Sequence, residues 1–543
     1  MIKSCRINIK GADKTAISVR ERKSEGRMDY LVDFGEGLSL TEFSLVFEFS
    51  SPLTKWRNHD YSWVDTKQQR IANYFSPKVA ILKSGIKVVA AKTDGLWLFN
   101  PRYPRRLEWI IVHRFLTPLF DYKQDDSPAF RTPLVTLKGV RTFSFLFTRG
   151  LVPEFSRSKI PFSAIINFSD HCDFDSPLLL ERQRQLFKSK DVIVTKGFFI
   201  YHHSKRDYNA SYEYNNEELN RWIDDGHELC YHSLSQSTRP KEEEWRRDLE
   251  QFANRGLACT TWIDHGFQPY NHSRFSTSGI SEKEWTKWME TAGVSVLWSY
   301  LDCGTSGAGM INQIDPEAFS LSAYVKQFRS RPNLSSLASL LRSYILYFGT
   351  KKAGKRYTRL VTQLRSKYRN SFMGAVVKLL PGIGFLFWQL IKIVFLSFKQ
   401  QHSPRWQSFT PVFFQSRVGD RDFMFFQTVE LHNFIDTFSE SNLNLLINSS
   451  GVCMAHTYFA DLDRRKEGRI FADASGNLMP GIEDVFSRIA TASAKSQLWL
   501  ARVDELSRQF QSFTHIHYDI NEAGEIIHYT DRPELEMIIR YVE

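Results

Sequence analysis

Between Glu317 and Asp420 the chain has no acidic residue at all, over 102 consecutive positions that hold 17 Lys and Arg. With those 17 removed from the 71 Lys and Arg of the chain, 54 stand against 60 Asp and Glu, so the net charge of +11 belongs to one segment and not to the protein as a whole. Cysteine is sparse. Cys5, Cys172, Cys230, Cys259, Cys303 and Cys453 are scattered and none forms a C-x-x-C pair, which argues against a zinc ribbon and a dithiol redox motif. Scattered thiols in a large chain fit a reducing compartment. The opening residues Met1 to Arg6 lack an apolar h-region, so no signal peptide is expected and a cytoplasmic location is predicted. A clean membrane span is missing too. Phe372 to Phe398 is long enough, but Lys378, Pro381, Gln389 and Lys392 interrupt it, whereas a span needs about 20 predominantly apolar residues.

What is present is a chain of 543 residues, 42% hydrophobic and 24% charged, enough for several packed domains. Residues 1–158 carry short apolar runs separated by turn signals, such as Phe43 to Phe49 and Ile86 to Ala91. Alternation in Leu45 to Phe49 predicts strand, and the longer run Leu107 to Phe120 predicts a helix, giving a β-rich α+β domain without a catalytic cluster. From Phe162 the pattern changes to strand alternating with helix. Strands are predicted at Ala164 to Phe168, Val192 to Thr195, Cys259 to Ile263 and Val294 to Trp298. Helices are predicted at Leu178 to Phe187, Asn216 to Asp224, Glu243 to Asn254 and Ser281 to Ala292. This alternation is the signature of parallel β/α units. It stops near Pro316 and resumes near Asp420, with helices at Met479 to Ala492 and Val503 to Phe513 and a closing hairpin around Asn521 to Gly524.

The expected architecture is therefore α/β: a barrel in two parts, 159–316 and 421–515, interrupted by the basic insertion 317–420 and followed by a hairpin at 516–543. The insertion places Lys351, Lys352, Lys355, Arg356, Arg359, Arg365, Lys367 and Arg369 ahead of the apolar run Gly384 to Leu396. An in-plane or re-entrant helix with aromatic anchors suits that combination, in peripheral contact with anionic lipid through 340–400 on the inner membrane face. A basic lid helix buried against the protein is the plainer reading. Nucleic acid would use the cations but leave the apolar run without a role.

Polar residues gather where the β/α strands end, which is where β/α barrels place reactive groups. Ser169 to Asp175 follows the first strand, Asp264-His265-Gly266 the strand ending at Ile263, Asp302 the strand ending at Trp298, and His456-Thr457 the run Cys453 to Ala455. The densest cluster is Gly226 to Gln236, with His232 and Gln236 four apart, a spacing that in a helical turn would aim both at one object. Two imidazoles so spaced would make half of a divalent-metal site; here the second position is an amide.

The stretch Gly226-His227-Glu228-Leu229-Cys230-Tyr231-His232-Ser233-Leu234-Ser235-Gln236 resembles the G-H-E-[IL]-x-x-H-[ST]-x-[ST]-H motif of the polysaccharide deacetylase (NodB-like) family at every fixed position except the last. Ile165 to Asp170 resembles the family strand ending in T-F-D-D, Thr195 to Ile200 the A-T-F-F-V strand, and Met454 to Thr457 the closing strand with its general-acid histidine. The resemblance covers about 162–316 and 421–515. It implies a deformed (β/α)7-type barrel, a divalent metal that is often zinc, a carboxylate that activates water, and a histidine that protonates the leaving group as an acetyl is removed from a sugar. Carried over by position, His232 is a metal ligand. In one frame Asp170 is the metal aspartate and Ser169 falls at the base; in the frame shifted by one, Asp170 is the base and His171 a ligand. Asp173 and Gln236 are further ligand candidates, with Asp175 beside them. Asp264-His265 stands where the family has R-x-P, with Asp264 a catalytic candidate and His265 a replacement for the ligand lost at Gln236. His456 is the candidate general acid.

The implied substrate is an acetylated sugar of a cell-surface or lipid-linked glycan. Two other readings stand beside it. In one, the barrel has lost catalysis and serves as a glycan-binding or membrane-associated assembly protein. In the other, it is a glycosidase using two carboxylates about 5–10 Å apart.

Overall fold

The computed structural model describes all residues except 12–16, 123–127, 132–133, 207, 255–256, 275–278, 331, 333, 346–351, 355, 358–359, 361–372, 399–410, 432, 463–467 and 533–536. The N-terminal part is built from two antiparallel sheets, five-stranded and seven-stranded. Their apolar faces share one core, where Tyr30 and Phe47 from opposite sheets meet at 4.9 Å. The predicted helix at Leu107 to Phe120 is instead the strand Arg106–Val112, paired with Glu42–Phe49 and Leu96–Phe99. Aromatic and β-branched side chains alternating with Glu108 suit a pleated, half-buried surface better than a helix. Among the described residues, 1–158 contains no α-helix, so the domain is an all-β sandwich rather than α+β.

The second part is a closed barrel of seven parallel strands. In chain order these are Ala164–Asp170, Thr195–Phe198, Glu228–Tyr231, Thr261–Trp262, Val296–Thr305, Arg421–Glu430 and Val452–Thr457. Each pairs with the next, and the seventh pairs with the first through Ile165↔Val452 to Asp170↔Thr457. Phe413–Val418 adds an antiparallel flank on the sixth strand, and Leu498–Leu500 lies beside the first. The second strand begins at Thr195, later than its apolar run suggests, because Val192 and Val194 pack into the core ahead of it. The fifth continues to Thr305, which places Asp302 within the strand rather than after it. Predicted helices appear as Pro177–Ser189, Tyr212–Asp224, Glu242–Ala253, Glu282–Thr291, Ile482–Ala494 and Val503–Ser512.

The insertion contributes the helices Leu321–Ser330, Leu334–Ser343 and Met373–Phe398. Among the described residues no helix is long and apolar enough to cross a membrane. Of the cations named ahead of the apolar run, Lys352 and Arg356 are described; Lys351, Lys355, Arg359, Arg365, Lys367 and Arg369 lie outside the described residues. The C-terminal hairpin pairs Ile516–Ile520 with Ile526–Thr530, and Ile539–Val542 returns to pair with Val152–Phe155 at the junction of sandwich and barrel. Buried Arg157 joins the two parts by donating to the carbonyls of Phe75, His59 and Ser450.

Candidate metal and acid–base site

Because all seven strands run the same way, their last residues share one rim. Register fixes the level: Ser169 lies beside His456, and Asp170 beside Thr457 and Lys196. His171 and Asp173 come just after the first strand, His232 just after the third and His265 just after the fourth, while His456 lies in the seventh. The backbone closes tightly beneath them. A Cβ on Gly197 would sit 3.0 Å from the Asp170 carbonyl and 3.4 Å from the His232 Cβ, so a larger residue there would force the first and third strands apart.

The structure brings four imidazoles into one row. Ring centroids are 4.8 Å apart for His265 and His232, 4.4 Å for His232 and His171, and 4.1 Å for His171 and His456. Asp173 lies against this row, with Oδ2 3.0 Å from His232 Nε2 and Oδ1 3.2 Å from His265 Nδ1. The two ring nitrogens are themselves 3.2 Å apart. His171, Asp173 and His232 are all buried and each offers a ligand atom within 4.8 Å of the others. Phe199 stacks on His232 and sets its plane. Burial opposes ionisation of Asp173, yet His265 and His232 beside it hold its carboxyl well below the usual carboxylate range. Burial pulls His265 down to about 4, so its ring is neutral at neutral pH. An ionised carboxylate among ring nitrogens is a donor set that suits a divalent cation such as zinc.

A second group adjoins the first. His456 Nδ1 lies 3.2 Å from both oxygens of Asp302, and its Nε2 is buried without a hydrogen-bond partner in the protein. Asp302 also accepts from Thr428 Oγ1 at 2.7 Å, and Trp298 Nε1 donates to that hydroxyl at 3.0 Å. A carboxylate on Nδ1 keeps the proton there and leaves Nε2 as the basic nitrogen. Trp298 and Tyr458 flank both His171 and His456.

Three sequence candidates have other surroundings. Asp170 is fully buried; its Oδ1 accepts from Thr457 Oγ1 and the Phe459 amide, and its Oδ2 is paired with Lys196. Lys196 also reaches Asp175 at 2.7 Å and Gln183 at 3.0 Å. Burial pushes Asp170 up to about 6, with Lys196 opposing the shift and the second carboxylate on that ammonium, Asp175, adding to it. Asp264 spends both oxygens on its own loop, accepting from Trp262 Nε1, the amides of His272 and Ser273, and Ser273 Oγ. Gln236 does not lie on a helical face with His232, since Ser233 between them adopts a left-handed conformation (φ 69°) and the segment is a loop. Its Nε2 donates to the Asp173 carbonyl at 2.9 Å and its Oε1 accepts from Ser204 and Asn209. Gln236 therefore fixes the loop that carries Asp173. Ser176 caps the following helix, accepting from the Leu179 amide.

Sequence reasoning did not single out Lys196, Trp298 or Tyr458. For Lys196 a signal existed: a lysine inside a short apolar strand needs a buried anion. The two aromatic residues carry no local pattern that separates them from core.

No family model matches the chain, and no curated protein matches it. Among solved structures, a Flavobacterium johnsoniae GH31 dextranase complexed with glucose is similar at 8% identity and a TM-score of 0.22. The match covers 52% of this chain and 39% of that one. A mutant of the same enzyme complexed with isomaltotriose gives the same figures. The chain thus spans well under half of the solved proteins it matches, at a similarity too low to carry an argument about its fold or chemistry.

Proposed function

We propose that the protein is a metal-dependent hydrolase that removes acetyl groups from a sugar of a cell-surface or lipid-linked glycan. The observation that carries this reading is the convergence of His171, Asp173 and His232 on one buried point with His456 stacked against His171. His171, Asp173 and His232 are the residues that would hold the ion, with His265 bracing Asp173 or adding a fourth donor. A divalent ion there supplies electrophilic help to an acyl carbonyl and acidifies water. His456, held through Nδ1 by Asp302, would through its Nε2 take a proton from the attacking water and return it to the leaving nitrogen or oxygen. Asp170 supports the rim through Lys196 rather than acting as the base. Tyr208, on the loop after the second strand, is more than half exposed and offers a flat face for a sugar ring.

The test is acetate release from N-acetylated and O-acetylated oligosaccharides by the purified full chain with zinc. Turnover should depend on the ion, and His456→Gln should lower it by about 10²–10⁴-fold while retaining the metal. A second reading, a glycan-binding barrel without catalysis, draws on the engagement of Asp170 by Lys196. Sugar binding with no acetate released from either linkage would favour it over the enzyme.

A further inference from the structure

We infer that the outward face of the helix Met373–Phe398 docks onto an anionic lipid surface. The helix has two unlike faces among its described side chains. Phe385, Gln389 and Ile393, spaced by four, are buried, and both apolar members join the core of the barrel domain. On the opposite side, Phe387, Trp388 and Ile391 are 64%, 55% and 43% exposed, and Val394 and Phe395 continue the row. Five large apolar side chains, three of them aromatic, form one stripe along a single helix, whereas exposed apolar residues on a protein surface are ordinarily scattered.

Charge decides which partner suits this stripe. The helix lies within 102 residues that hold 17 cations and no acid. Lys392 stands on the helix itself with its ammonium 5.8 Å from the Trp388 ring. Apolar and aromatic residues inserted at the headgroup level, with cations around them, are the pattern of an in-plane interfacial helix. A protein partner would gain little from a segment so one-sided in charge unless it were strongly acidic, and a second copy would bring another acid-free segment and its Lys392 against this one.

The helix is also tied to the barrel. It packs against the helices Leu321–Ser330 and Leu334–Ser343. The Tyr324 hydroxyl accepts from the Thr305 amide at 3.0 Å, and Arg342 pairs with Glu430. Thr305 and Glu430 are the last residues of the fifth and sixth barrel strands. The docking face is thus anchored on the same rim as the imidazole row, and lipid binding does not depend on what reaction that row performs.

The experiment is flotation of the full chain with phosphatidylcholine vesicles, with and without phosphatidylglycerol. Phe387→Ser/Trp388→Ser/Ile391→Ser is the test variant, with its thermal midpoint as the fold control. The wild type should partition onto the anionic vesicles at least about tenfold better than onto neutral ones, and the variant should lose at least about tenfold of that binding. Wild type that stays with the lipid-free fractions, or a variant that floats as well as wild type, overturns the proposal. Unchanged flotation with self-association lost in the variant would assign the face to a second copy instead.

Discussion

His227 shows how one buried imidazole sets a pH limit on the fold. Its Nδ1 accepts from the Val194 amide at 3.3 Å, which requires the neutral ring, and burial pulls it down to about 4. In the unfolded chain an imidazole titrates near 6.5. Between these values the unfolded state binds the extra proton. The contribution is therefore complete above about 6.5 and is lost as pH falls toward 4, on the order of 3 kcal/mol in all. The thermal midpoint of the wild type should fall more steeply between pH 7 and 4.5 than that of His227→Asn. Parallel curves would contradict this account of His227. At this scale the sequence was informative where a residue type has few uses. The motif resemblance singled out His232, whereas its four-residue spacing from Gln236 misled, because left-handed Ser233 makes the segment a loop. Asp170, Asp264 and Gln236 were chemically plausible at the rim, but their hydrogen-bond partners come from Lys196, from the 262–273 loop and from the Asp173 carbonyl. No local pattern distinguishes a carboxylate that is fully engaged from one that is available.

The strands carry a second device. Thr195–Phe198 sends Lys196 into the layer between the strands and the helices Pro177–Ser189 and Tyr212–Asp224, where it is buried with Asp170 from the first strand and Asp175 from the loop after it. Removing the ammonium leaves two buried carboxylates without a counter-ion. Lys196→Met should cost about 3–5 kcal/mol in a urea unfolding titration, and adding Asp170→Asn and Asp175→Asn should recover part of the loss. A Lys196→Met protein as stable as wild type would show that the pair does not hold these strands together. Most barrel elements were legible from alternating strand and helix signals, because long amphipathic segments such as Glu242–Ala253 constrain their own periodicity. Leu107 to Phe120 misled because length was read as helix although the run has no helical period of its own. Its neighbour Glu42–Phe49 decides that it is a strand.

Across the whole molecule, a sandwich and an interrupted barrel anchor the site and the apolar helix of the basic insertion on one rim. The barrel was legible as a class from its β/α alternation. Its closure by Met454 to Thr457 was expected only from the family resemblance, since the alternation carries no signal that the seventh strand meets the first across nearly three hundred residues and the insertion. The central claim is that this closure assembles a cation site from His171, Asp173 and His232. Elemental analysis of the zinc-loaded, extensively dialysed full chain tests it most directly. The account predicts about one divalent ion per chain, retained in His456→Gln and lost in His232→Ala and Asp173→Ala. A wild-type protein that holds no ion, or a folded His232→Ala that holds as much as wild type, would contradict it.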